Sequence, residues 1–140
     1  MKTQTLLLIL LFTTPLVKAN WTPKADFPSS ARYSAIYFSI GNNGYIGMGY
    51  NSTYRNDLWE YVPSTDSWTQ KADYPTFGRN AAACFTINNL GYVACGGNGV
   101  NSAQSLYAFS PLLNLWISKA AYPVNPAPQD CFGFAIGDKG

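Results

Sequence analysis

Trp21-Thr22-Pro23-Lys24-Ala25-Asp26-Phe27-Pro28, Trp68-Thr69-Gln70-Lys71-Ala72-Asp73-Tyr74-Pro75 and Trp116-Ile117-Ser118-Lys119-Ala120-Ala121-Tyr122-Pro123 are three copies of one phrase. Their tryptophans stand at 21, 68 and 116, spacings of 47 and 48 residues. Self-similarity at a fixed period of this size marks a chain built from one supersecondary unit used repeatedly. Outward from the phrase the likeness continues: Arg32 aligns with Arg79, Phe38 with Phe85, Ile40 with Ile87, and Gly44-Tyr45-Ile46 with Gly91-Tyr92-Val93. With one inserted residue, Asp57 to Pro63 then lies over Ser105 to Pro111. The third copy runs to Ile136-Gly137-Asp138-Lys139-Gly140, which matches Ile40-Gly41-Asn42-Asn43-Gly44, so the chain stops within a unit.

Each unit reads as four short strands, because apolar and aromatic runs alternate with clusters of Gly, Asn, Pro and Ser. In the first unit the pattern predicts strand a over Tyr33 to Ile40, b over Tyr45 to Gly49, c over Leu58 to Val62 and d over Ser67 to Lys71. Asn42-Asn43-Gly44 is the expected a–b turn, and Pro63-Ser64-Thr65-Asp66 the c–d turn, with Pro63 suited to the second position of a type I turn. A four-stranded sheet has two faces and cannot bury both alone, so such units stack side by side around an axis. Trp59, Trp68, Trp116, Tyr61, Tyr107 and Phe109 are then expected to pack blade against blade.

These features resemble the kelch repeat: an Arg before strand a, a glycine pair ending b, an aromatic in c, and a Trp in d after a Pro, at a period near the ~50 residues typical of kelch. The resemblance covers residues 21–140. It implies an all-β fold, a partial kelch β-propeller of two complete four-stranded antiparallel blades plus the start of a third, with repeats at about 21–67, 68–115 and an incomplete 116–140. The chain departs from the pattern at Gly49-Tyr50, where the second unit keeps the pair Gly96-Gly97. It departs again at Tyr107, which stands where Trp59 does, and at Pro126-Ala127-Pro128, where an Arg is expected.

Met1-Lys2 followed by the apolar run Leu6 to Phe12, and Val17-Lys18-Ala19 before Asn20, read as a signal peptide over 1–19. The apolar stretch is shorter than the about 20 residues that span a bilayer, so the expected location is secreted, extracellular or periplasmic, with no membrane span. Without Lys2 and Lys18 the chain has seven Lys+Arg against seven Asp+Glu, and this neutral balance excludes a polyanion-binding role such as nucleic acid recognition. Asn20-Trp21-Thr22 and Asn51-Ser52-Thr53 fit the N-glycosylation pattern, as triplets in polar loops often do.

In an up-and-down meander the longer connections share one end of the propeller: Tyr50 to Asn56, Gly97 to Gln104, Ala25 to Arg32 and Ala72 to Arg79. Arg32 and Arg79 open strand a, the innermost strand. The family resemblance makes them candidates for contact with acidic peptides or anionic small molecules, with Tyr54 and Arg55 as further candidates. The competing reading has each guanidinium bonding loop carbonyls or an Asp such as Asp26, Asp57 or Asp73. If Ile87 pairs with Tyr92, Cys84 falls opposite Cys95. A cross-strand disulfide and a pair of buried free thiols are both compatible with that register, and Cys131 has no evident partner.

The chain contains no histidine, which removes Ser-His-Asp catalysis and His-based zinc and copper sites. No Cys pair has CxxC spacing, and Gly96-Gly97-Asn98-Gly99 ends a strand without a following helix, so no metal, phosphate cradle, cofactor or catalytic residue is expected. The leading functional expectation is a non-enzymatic binding or scaffold module for protein or carbohydrate. The alternative is part of a carbohydrate-acting enzyme resembling the kelch-type sialic acid epimerases, with Arg32 and Arg79 holding an anionic sugar.

Closed propellers use at least about four blades, so either a longer chain or association of several chains is expected to complete the ring. The break inside a hairpin favours the longer chain. Residues 20–140 alone should therefore aggregate or oligomerise. Light scattering should report species heavier than one chain, and a monodisperse monomer with a cooperative melt would contradict this.

Overall fold

The computed structural model describes residues 20–140, so the expected signal peptide lies outside the described residues. Eight five-residue strands follow in order: β1 (Ile36–Ile40), β2 (Asn43–Gly47), β3 (Leu58–Val62), β4 (Ser67–Lys71), β5 (Ala83–Ile87), β6 (Leu90–Ala94), β7 (Leu106–Ser110) and β8 (Leu115–Lys119). They form two four-stranded antiparallel meanders, β1-β2-β3-β4 and β5-β6-β7-β8, which are two propeller blades. β3 and β4 coincide with the expected strands c and d, joined by a turn in which Thr65 N–H donates to Val62 O at 3.3 Å.

The inner hairpin differs from the sequence expectation, and backbone conformation is the reason. The strand expected from Tyr33 is interrupted by Ser34 at φ 51°; Tyr33 makes an isolated bridge to Tyr50 and the ladder begins at Ile36. Strand b is expected over Tyr45 to Gly49, but Met48 at φ 54° and Gly49 at φ 87° leave the ladder while Asn43 already pairs with Ile40, so β2 spans Asn43–Gly47 and the turn is Gly41-Asn42 instead of Asn42-Asn43-Gly44. In blade 2 the turn is the two residues Asn88-Asn89, at φ 50° and 60°, the left-handed pair that two-residue hairpins of type I′ require. The positive φ values recur at matching positions, Ser34, Ala81 and Asp130 among them, so the repeat is one of backbone shape as well as sequence.

The core lies between the sheets. β1 packs against β5 and β6, and Ile36, Phe38, Ile40, Tyr45, Met48 and Leu58 of blade 1 are buried with Ala82, Val93 and Phe109 of blade 2. Phe38 stacks on Tyr45 with centroids 5.2 Å apart, and Tyr45 tilts against Phe109 at 5.9 Å. Polar contacts cross the same seam: Thr86 Oγ1 donates to Ser39 O at 2.8 Å, and Ala81 N–H to Ser34 O at 3.0 Å. Within blade 1, Glu60 accepts from the Tyr45 hydroxyl, from Asn43 and from Lys71, so the one buried carboxylate of the sheet is fully partnered.

The Trp phrase forms the outer seam. Trp68 Nε1 donates to Ala25 O at 3.0 Å and Trp116 Nε1 to Ala72 O at 2.9 Å, each tryptophan gripping the preceding copy of the phrase. Ala25 N–H and Ala72 N–H donate in turn to Asp66 Oδ1 and Asn114 Oδ1, both at 3.0 Å. Phe27 sits edge-on to Trp59 and Trp68 at 5.9 and 5.2 Å, and Tyr74 to Tyr107 and Trp116 at 5.2 and 4.9 Å. Residues 131–140 begin a third unit laid on blade 2 as blade 2 is laid on blade 1. Cys131 N–H donates to Ala81 O at 3.1 Å, and Gly140 meets Phe85 as Gly91 meets Phe38.

That glycine contact gives a direct test of stacking. A Cβ on Gly91 would lie 2.2 Å from Phe38 Cε2, whereas one on Gly44, the matching residue of blade 1, meets nothing within 4 Å. Gly91→Ala is expected to cost about 1–3 kcal/mol of stability by forcing the seam apart. Gly44→Ala should stay within about 0.5 kcal/mol of the parent chain. Equal effects in denaturant titration would refute this packing.

Candidate functional site

The loop end is built around the two arginines, and both point inward. Arg32 is 2% exposed at its side chain and clamps both oxygens of Asp57, at 2.5 and 2.9 Å. It also donates to Met48 O at 3.1 Å and Ser29 Oγ at 2.6 Å, and lies over the Phe27 ring at 5.1 Å. Arg79 is 0% exposed and donates to Cys95 O at 2.8 Å, to Ser105 Oγ at 3.0 Å and to Thr76 Oγ1, between the rings of Tyr74 and Phe77. Of the two readings of Arg32 and Arg79, these contacts are those of the second, in which each guanidinium bonds loop carbonyls or an Asp: both groups hold loops to strands. The reason is their place beneath the b–c connections, where the carbonyls of Met48 and Cys95 turn toward them.

The two sites differ in charge. Ser105 occupies the position of Asp57, so among the described residues Arg79 has no carboxylate partner, and its Nε is buried without an acceptor. Burial lowers the Arg79 pKa. Burial alone would raise the Asp57 carboxyl, but hydrogen bonds from Arg32 and Trp59 and the charges of Arg32 and Arg55 outweigh it and hold it below the ordinary range.

Tyr54 and Arg55 lie where something can reach them. Tyr50 is paired by backbone bridges to Tyr33 on one side and Tyr54 on the other. The three rings form a run, Tyr33 to Tyr50 at 5.5 Å and Tyr50 to Tyr54 at 4.7 Å. Tyr33 is 62% exposed, and the other two are half-buried. Gly99, in the loop of the next blade, lies under the Tyr54 hydroxyl, so the cluster straddles both blades. Beside it Arg55 Nε donates to Asn51 Oδ1 at 2.9 Å and Arg55 Nη2 to Ser30 Oγ at 3.3 Å, leaving guanidinium donors unused.

The backbone under this cluster is fixed by the second arginine. Arg79 N–H donates to Arg55 O at 3.0 Å, Gly49 N–H donates to Arg79 O at 2.8 Å, and a Cβ on Gly78 would strike Tyr54 O at 2.1 Å. Arg79 thus acts as a positioning residue for the loop that carries Tyr54 and Arg55. Tyr33 and Tyr50 are site residues that the sequence did not single out. The available signal was Tyr50 standing where the second unit has Gly97.

The expected opposition of Cys84 and Cys95 does not occur. Ile87 pairs with Leu90 across the Asn88-Asn89 turn, which places Cys84 opposite Val93, and all three cysteines are free thiols. Cys84 Sγ donates to Tyr37 O at 2.9 Å in the blade seam, and burial raises its pKa.

The Arg32–Asp57 clamp yields a signed pH dependence. A carboxyl whose folded pKa is depressed contributes stability above its unfolded value, about 3.9 for Asp, and loses it as pH falls through the folded value. Asp57→Asn, which leaves Arg32 buried without its counter-charge, should cost about 3 kcal/mol at pH 7. The gap from the parent chain should close in acid. Ser105→Asp, which supplies Arg79 with the missing carboxylate, should raise the denaturant midpoint. A pH-independent gap, or a lower midpoint for Ser105→Asp, would overturn the electrostatic account.

No protein-family model matches this chain, and no curated protein matches it. Among solved structures, that of YjhT matches with a TM-score of 0.66 and 23% sequence identity, covering 74% of this chain and 41% of that chain. Likeness at this level of identity concerns the fold alone. The chain spans less than half of YjhT and shares with it a β-propeller architecture.

Proposed function

We propose that this chain is the loop-bearing part of a secreted kelch-repeat propeller that works as a binding module, and that its ligand is a carbohydrate engaged at the loop end. The observation that carries the reading is the Tyr33–Tyr50–Tyr54 run, three rings within 5.5 Å of their neighbours and accessible to solvent, bordered by Arg55. Aromatic faces beside a few fixed hydrogen-bonding groups suit a sugar, whose C–H surfaces stack on rings while its hydroxyls take the polar contacts. The neutral balance of charge expected after export fits a neutral ligand better than a polyanion. A protein ligand at the same loops is the competing binding reading. The enzymatic alternative needs Arg32 and Arg79 free to hold an anionic sugar, and both are turned inward.

Titration of the chain against a panel of neutral and acidic oligosaccharides, followed by intrinsic fluorescence, tests this. Tyr50→Ala and Tyr54→Ala should each weaken the best neutral ligand about tenfold, the equivalent of ~1.4 kcal/mol. Tyr37→Ala, at a tyrosine 75% exposed on β1 away from these loops, should leave affinity unchanged. Binding by no oligosaccharide, or equal losses from all three variants, would sink the proposal.

A further inference from the structure

The repeat makes Cys95 and Cys131 structural counterparts of Met48 and Ala82. Met48 and Cys95 each follow the second strand of their blade with positive φ, 54° and 61°. Ala82 and Cys131 each follow the positive-φ residue that opens the next unit, Ala81 at 53° and Asp130 at 56°. In the seam between blades 1 and 2, Met48 and Ala82 belong to one buried cluster. The corresponding place between blade 2 and the third unit is filled by two sulfurs.

Two further contacts hold the cysteines there. Gly96, next to Cys95, lies flush on residues 80–82: a Cβ would be 2.6 Å from Asn80 O and 2.9 Å from Ala82 Cβ. Cys131 is hydrogen-bonded to the same segment, its N–H donating to Ala81 O at 3.1 Å. Cys84 is set apart, with its thiol committed to Tyr37 O in the other seam.

We propose that Cys95 and Cys131 form a disulfide that fastens the start of the third unit to blade 2, while Cys84 stays a free thiol. The oxidant is a small disulfide such as oxidised glutathione. Cys131 is the more accessible of the pair, and its thiolate attacks the external disulfide, releasing one thiol and leaving a mixed disulfide on Cys131. Cys95 then gives up its proton to solvent and attacks Cys131 Sγ, expelling the second thiol. Two protein thiols and one external disulfide become one protein disulfide and two small thiols. Burial and the neighbouring Cys131 raise the Cys95 pKa, while the charge of Arg79 lowers it. The Arg79 guanidinium, which lacks a carboxylate partner among the described residues, donates to the Cys95 carbonyl at 2.8 Å and so stands beside the attacking residue.

The full chain is incubated with oxidised glutathione, quenched with acid and iodoacetamide, and digested with chymotrypsin. Cleavage at Phe85 and Tyr92 separates Cys84 from Cys95, which trypsin would leave in one peptide. The expected result is a monomer lighter by two hydrogens, a Cys95–Cys131 cross-linked peptide and an alkylated Cys84. Cys84→Ser should retain the cross-link, and Cys95→Ser and Cys131→Ser should each abolish it. Three alkylated cysteines, a cross-link that includes Cys84, or cross-linking between chains instead of within one would overturn the proposal.

Discussion

Both described blades are closed from outside by an aromatic ring supplied by the segment that leads into them. Phe27 enters between Trp59 and Trp68, and Tyr74 between Tyr107 and Trp116, while Trp68 and Trp116 fix the arriving chain by donating to the alanine carbonyl two residues before the wedge. An isolated meander of five-residue strands would expose one face and a row of edge groups. The wedge covers the outer strands, and the indole takes up a carbonyl that would otherwise lack a partner. It also sets the distance along the chain from one tryptophan to the next. The period is thus a consequence of a contact that spans two successive copies.

The inner seam follows a different rule, which is close approach. Phe38 lies where blade 2 has Gly91, and Phe85 where the third unit has Gly140, so a large ring meets an absent side chain in each interval. Ser34, Ala81 and Asp130 take left-handed backbone conformations at the same step of successive units. None of the three is glycine. Their conformation costs about 1 kcal/mol each by the usual steric penalty, offset by the hydrogen bond that the following seam makes. Ala81 N–H to Ser34 O and Cys131 N–H to Ala81 O are two of those bonds.

The sequence made the outer half of each blade legible and the inner half only roughly so. Strands c and d are bounded by a proline turn and a tryptophan, and β3 and β4 match them residue for residue. Strands a and b run into apolar residues on both sides, and nothing in composition marks Ser34 or Met48 as the places where pairing stops. The two-residue turn at Asn88-Asn89 has the same origin: placing it differently shifts the partner of Cys84 from Val93 to Cys95. Arg32 and Arg79 were visible as a recurring pair, but recurrence does not distinguish a group that faces a ligand from one that braces a loop. Each also holds a carbonyl at the end of the second strand, Met48 O for Arg32 and Cys95 O for Arg79, and the direction in which a carbonyl turns is not written in a sequence.

Where the two blades differ is therefore more telling about function than where they agree. Shared positions such as the phrase, the seam glycine and the inward arginine are explained by stacking. Tyr50 in place of Gly97 is not, because the second blade closes its strand without any ring there. Neither is Ser105 in place of Asp57, which leaves Arg79 held by neutral groups while it fixes the backbone of Tyr54 and Arg55. Both departures fall at the loop end, within one network of contacts, and together they put a supported aromatic surface on one blade and not on the other. Stacking alone would keep the two blades alike, and the break in that likeness lies at Tyr50 and its neighbours.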